Sequence, residues 1–156
     1  CLVIMDCSGS IGTNMCNGEF ADIIVSSFGR WKPINLKYGG FISIRDENVF
    51  SKGSDVFNMT AYDDSYDEKL IEKIENLENR YNLFEKHKKK ILNDLRELKI
   101  VHPKKKGINV IIKFSSDTEK NLIINYCKEN NYEYTLCPRY IRINSNAVSI
   151  EVKRLE

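Results

Sequence analysis

Between Tyr66 and Ile100 the large side chains return at alternating steps of four and three: Leu70, Ile74, Leu77, Tyr81, Phe84, Lys88, Ile91, Leu95 and Leu98. This is the a/d seam of a heptad repeat, broken only by Lys88, and neither glycine nor proline interrupts it. The spacing predicts one amphipathic helix over residues 66–100. At 1.5 Å per residue that helix is about 50 Å long, more than the core of a chain this size can cover. Part of the seam is therefore expected to need a partner, either a second copy or another protein. Leu70, Ile74, Leu77, Tyr81, Phe84, Ile91, Leu95 and Leu98 are then the partner-binding positions. The alternatives are a helix lying across its own sheet, or two helices broken near residues 78–82.

The flanks of the helix carry their own signals. Ser65-Tyr66-Asp67-Glu68 has the form of a capping box, and the acidic pair suits the positive end of a helix. Pro103 and Gly107, with Lys104, Lys105 and Lys106 between them, end the run. Beyond them Ile108, Val110, Ile112 and Phe114 alternate as a strand, and Ser116-Asp117-Thr118-Glu119 is a second capping box that opens a helix over 118–130. Strands are expected at 132–137, 140–143 and 148–153, the last two joined as a hairpin through Asn144-Ser145-Asn146. Upstream, Leu2-Val3-Ile4-Met5 reads as a buried strand, residues 19–31 fit either a helix or a strand, and 36–45 and 55–59 read as strands.

These elements imply an α+β chain with an N-terminal β-containing lobe (1–64), a long coiled-coil-like helix (65–102) and a C-terminal β-α-β-β lobe (103–156). Its 156 residues suffice for one domain or two small lobes, and no apolar run approaches the roughly 20 residues of a membrane helix. No membrane partner is expected. The chain opens on Cys1 rather than methionine, which points to a fragment or a processed chain, and Leu2-Met5 lacks the basic flank of a secretory signal. Five cysteines with no C-x-x-C spacing suit free thiols in a reducing compartment, hence a cytoplasmic location.

Charge is uneven. Residues 1–64 carry five Lys and Arg against eight Asp and Glu, and residues 65–156 carry nineteen against fourteen. A basic second half raises a nucleic-acid alternative. Lys88, Lys89, Lys90, Lys104, Lys105 and Lys106 would track phosphates, while Arg139, Tyr140 and Arg142 would contact bases or backbone. Interleaved Glu85, Asp94 and Glu97 fit a plain solvated helix face equally well. No catalytic constellation is evident: His87 and His102 lack a nucleophile at readable spacing, and no glycine-rich phosphate loop follows a strand. The expected function is a non-enzymatic interaction module.

One motif adds a site. The apolar run Leu2-Met5 leads directly into Asp6-Cys7-Ser8-Gly9-Ser10, and this Asp-x-Ser-x-Ser pattern resembles the first metal-binding loop of von Willebrand factor A domains. The resemblance covers about ten residues. It implies that Asp6, Ser8 and Ser10 help hold a divalent cation, Mg²⁺, whose open position takes a carboxylate from a protein partner. Hard cations favour such oxygen ligands on a rigid turn. The family's second loop, of Gly-Gly-Thr type, has no counterpart here, and its later Thr-Asp-Gly is only echoed by Ser115-Ser116-Asp117. A simple polar turn, built from the residues that dominate turns, is the other reading of the same five positions.

Overall fold

The structure, a computed structural model, describes residues 1–155. It is an α+β chain with four α-helices and two sheets among the described residues. By contact density the chain divides into two compact units, Cys1–Arg80 and Tyr81–Glu156. No helix among the described residues is long and apolar enough to cross a membrane.

The first unit holds a three-stranded sheet of β1 (Ile4–Asp6), β2 (Ile23–Ser27) and β3 (Gly40–Ile44). β1 runs parallel to β2, with Asp6 opposite Val25, and β2 pairs with β3 in antiparallel register. The ambiguous stretch 19–31 thus resolves as a strand, as its β-branched Ile23-Ile24-Val25 favours. Gly40 permits the closest approach of β2 and β3, since a Cβ there would sit 2.4 Å from the Ser26 carbonyl oxygen. Cys7, Ala21, Phe28, Ile34, Leu36 and Leu77 are the buried apolar residues of this unit.

The expected strand at 55–59 is instead the end of helix α1 (Glu47–Met59). Its start is fixed by Asp46, whose carboxylate accepts from the Asn48 amide at 2.8 Å, and Phe50 packs on Phe57 one face along. That cap outweighs the turn-like Ser51-Lys52-Gly53-Ser54, which lies inside the helix.

The single helix expected over 66–100 is two helices, α2 (Asp67–Glu75) and α3 (Leu77–Asp94). Asn76 makes the break. Its amide donates to Glu72 and Ile74 carbonyls, its carbonyl accepts from the Arg80 amide, and its side chain accepts from Asn79 at 2.9 Å. One asparagine therefore closes one helix and opens the next, the role its side chain favours over a helix interior. The Ser65 capping box does not form. Asp63 caps a short 3-10 turn by accepting from the Ser65 amide at 3.0 Å, and α2 follows without a side-chain cap. At the far end Lys99–Ile100 leaves the helix to become β4, paired antiparallel to β5 (Val110–Lys113), because a sheet ladder satisfies the backbone there.

The second unit contains the four-stranded sheet, in the order β4-β5-β7-β6. β6 (Tyr134–Cys137) and β7 (Ala147–Ile150) pair antiparallel across the connection, with α4 (Asp117–Glu129) between β5 and β6 in the chain. The β-α-β-β lobe is thus present, enlarged by β4. Its last hairpin joins 134–137 to 147–150, not 140–143 to 148–153, and residues 140–143 form a single bridged turn. Ser116 caps α4 by accepting from the Glu119 amide at 3.2 Å, as its box predicts, while Glu119 returns to the amide of Ser115 at 2.7 Å. Phe84, Ile91 and Leu95 of the heptad seam join Val110, Ile112, Ile123, Cys127, Tyr132, Val148, Ile150 and Val152 in one core.

A polar lattice ties α3 to α4 around that core. Asp94 accepts from Lys90 at 2.6 Å and from the Tyr126 hydroxyl at 2.8 Å, and Lys90 also donates to the Asn130 side chain at 2.8 Å. His87 Nδ1 lies 2.8 Å from the Tyr132 hydroxyl. Burial first, then the charges of Lys86 and Lys90, lower the His87 pKa, so the neutral ring accepts from the phenol. A histidine whose folded pKa lies below its unfolded value contributes stability that is present above the unfolded pKa of about 6.5 and lost as pH falls below it. Lowering the pH from 7 toward 5 should therefore reduce the Tm, and His87→Gln should flatten that segment of the pH profile while leaving the steeper loss near the carboxylate range. Thermal melts across this window check it; an unchanged profile in the variant contradicts it.

Candidate functional site

The Asp6 loop comes first because its strand positions it. Asp6 ends β1, and the chain turns at once: the Ser8 amide donates to the Asp6 carboxylate at 2.9 Å, and Ser10 and Ile11 amides both donate to the Cys7 carbonyl. The Ser8 hydroxyl oxygen accepts from the Ser27 amide at 2.9 Å, which stitches the loop to the end of β2. Hydrogen bonds from Ser8, its side chain before its amide, hold the Asp6 carboxyl below its ordinary range.

Asp6 and Ser8 line an open concavity with Ser26, Ser27, Gly40 and Thr60. Ser26 is buried, and its hydroxyl has no hydrogen-bond partner. The lining is thus all-oxygen in its polar part, with one carboxylate, and suits a hard cation in kind. Ser10 is not among the lining residues, so the structure brings two of the three motif side chains to this surface. No group of three or more His, Cys, Asp or Glu side chains among the described residues is arranged to hold a metal.

The seam residues divide by unit. In the first unit Leu77 is buried, Leu70 is half-buried and Ile74 is 49% exposed, beside Ile71 at 56%. In the second, Phe84, Ile91 and Leu95 are buried in their own core, with Tyr81 and Leu98 packed at its margin. Lys88, the odd position of the repeat, is 8% exposed, and its ammonium donates to the Lys105 carbonyl at 2.6 Å. The stem fills the seam and the head is satisfied at the surface.

The basic residues separate in the same way. Lys88 and Lys90 are engaged internally, as described, whereas Lys89, Lys104, Lys105 and Lys106 are exposed. Arg139 and Arg142 are exposed too. Tyr140 is not available to stack on a base. Its hydroxyl donates to Glu151 at 3.0 Å and accepts from Lys153 at 3.2 Å, and the Lys153 ammonium also lies 5.6 Å from its ring centre.

Glu151 is the residue that sequence reasoning missed. Its side chain is fully buried, and it accepts from Ser149 at 2.7 Å as well as from Tyr140, with Lys153 as its ion-pair partner at 3.0 Å. Asn109 extends the network to Ser149 at 3.0 Å. The alternation Val148-Ser149-Ile150-Glu151-Val152 marks Ser149 and Glu151 as sharing one face, which from pattern alone reads as the solvent face. The nearby Tyr140 and Lys153 were the only signal that it is not.

The segment those bonds hold is strained. Arg139, Ile141 and Arg142 have φ of 75°, 45° and 60°. The Ile143 amide donates to the Tyr140 carbonyl at 3.0 Å, so Ile141 and Arg142 are the central pair of a turn of type I′ sense. Glycine and asparagine dominate such positions, and a β-branched residue there is an outlier. Each such residue costs on the order of 1–3 kcal/mol, persisting only where the surroundings over-determine it.

By formal charge the units differ in sign: residues 1–80 carry eight Lys and Arg against thirteen Asp and Glu, and residues 81–156 carry sixteen against nine. Compared with known proteins, the chain matches no curated protein and no solved structure. The model of the MJ1341 family C-terminal domain matches residues 73–156, more than half of the chain, and the chain belongs to the MJ1341 family.

Proposed function

We propose that the chain is a non-enzymatic interaction module that binds a protein, itself or another, through the first unit. The observation that carries this reading is the concentration of exposed apolar side chains there. Leu2, Val3 and Ile4 on and before β1, Phe50, Val56 and Met59 on α1, and Ile71 and Ile74 on α2 are all exposed, whereas the second unit exposes Leu122, Leu136 and Ile141. Exposed patches of this kind mark interaction surfaces more than they mark ordinary solvent faces. The partner-facing part of the heptad seam is then α2, since α3 spends its apolar stripe on its own core. The cysteines, none of them paired, are consistent with work in a reducing compartment such as the cytoplasm.

Burying an aliphatic side chain contributes about 1.5–3 kcal/mol, a factor of ten or more in affinity. Ile71→Lys with Ile74→Lys should therefore weaken association at least a hundredfold in sedimentation velocity of the full chain. Their exposure keeps the effect on folding within about 0.5 kcal/mol each. Self-association or partner binding that survives both changes contradicts this surface.

The Asp6 loop refines the same reading. Here Asp6 and Ser8 would hold Mg²⁺, with Ser10 as the third ligand that the resemblance to von Willebrand factor A domains implies; the all-oxygen lining and the unpartnered Ser26 hydroxyl favour it. When bound, the ion supplies a positive centre for a partner carboxylate. Titrating Mg²⁺ into the full chain should shift the amide resonances of Cys7, Ser8 and Ser10 saturably, and Asp6→Ala should abolish that response. The variant also loses the Ser8 amide bond, at about 1 kcal/mol in stability. A linear drift, the same in both proteins, removes the cation from the account.

A second reading, nucleic-acid binding by the second unit, is favoured by the excess of seven positive charges on residues 81–156. The exposed Lys89, Lys104, Lys105 and Lys106 are its phosphate-tracking residues.

A further inference from the structure

We infer that the turn Arg139–Ile143 is a preformed contact for the phosphate backbone of a nucleic acid, with Arg139 and Arg142 touching the phosphates and Tyr140 and Glu151 acting as positioning residues. The inference rests on the nucleic-acid reading of the second unit and assigns the turn a role in it. Three observations converge. Non-glycine residues with positive φ stand at 139, 141 and 142, in a segment where the sequence could have placed glycine or asparagine. The turn is pinned from beneath, because Tyr140 reaches the buried Glu151 carboxylate and Cys137 Sγ contacts the Tyr140 carbonyl at 3.9 Å. At its surface two arginines and Ile141, 40% exposed, face solvent.

Backbone strain backed by a buried polar network keeps a segment in one conformation before any ligand arrives, and such strain gathers at binding sites. Arginine is the residue suited to phosphate, since its planar fork donates two parallel hydrogen bonds and stays charged. A single protein carboxylate would need only one of the two guanidinium groups. The positive charge of the whole unit favours a polyanion, and a nucleic-acid backbone offers phosphates in series. Tyr140 is thereby reassigned from base stacking to holding the turn.

The test is anisotropy of a labelled single-stranded RNA and a labelled DNA duplex, each of about 20 nucleotides per strand, titrated with the full chain between about 50 and 200 mM salt. Arg139→Ala with Arg142→Ala should lower the slope of log affinity against log salt by about 1.5–2, one neutralised phosphate contact per arginine. Tyr140→Phe, which removes only the hydroxyl bond to Glu151, should weaken binding several-fold. Ile141→Gly accepts the same φ, so it should raise the Tm and hold affinity within about twofold, whereas Ile141→Pro, locked near −65°, should abolish the turn's contribution. An arginine pair whose removal leaves the salt slope unchanged overturns this inference and leaves the nucleic-acid reading standing. Absence of binding to both oligonucleotides at the lowest salt overturns the two together.

Discussion

A carboxylate with no access to water must be surrounded by donors, and in this chain that requirement falls on Glu151. It follows directly on β7, whose residues are buried throughout and which is paired on both sides, to β5 and to β6. The donors come from Ser149 two residues before, Lys153 two residues after, and Tyr140 in the connection. Because Tyr140 must reach back to Glu151, the β6–β7 connection takes a left-handed path and does not continue as a strand. The form of the turn, and the exposure of its arginines, follow from that one buried group.

Periodicity carried much of the fold and mistook parts of it for instructive reasons. The strand at 108–114, the helix after Ser116 and the α+β class were legible because pattern and caps agree there. The helix break was not, since Asn76 is a neutral residue in any heptad count and acts only through its bonds to Glu72, Ile74, Asn79 and Arg80. Helix α1 was missed because β-branched Val56 and the glycine at 53 spoke louder than the Asp46 cap. The strand expected at 140–143 fits propensity well, but a long-range bond to Glu151 overrides it.

The candidate sites were legible in kind more than in role. The Asp6 motif was visible as residues, yet nothing in its spacing told that the Ser8 hydroxyl would be used by the Ser27 amide or that Ser26 would stand beside it unpartnered. Lys88 marked the heptad seam as unusual, and the structure explains it as a buried stem with a satisfied head. Of the basic residues, those with internal partners cannot be told from the exposed ones without coordinates, because Lys89 and Lys90 differ only in which neighbour the fold supplies. The opposite charge of the two units, by contrast, needs only the boundary at residue 80 to be read.

Two binding surfaces of different chemistry, an apolar one on the first unit and a basic one on the second, form the core of this account. Amide chemical-shift mapping of the intact, isotopically labelled chain on addition of the single-stranded RNA tests it most directly. The account predicts perturbations at Arg139, Tyr140 and Arg142 and at Lys104–Lys106, with the amides of α1 and α2 unmoved. Perturbations centred on α1, α2 or the Asp6 loop, or none in the Arg139–Ile143 turn, would contradict it.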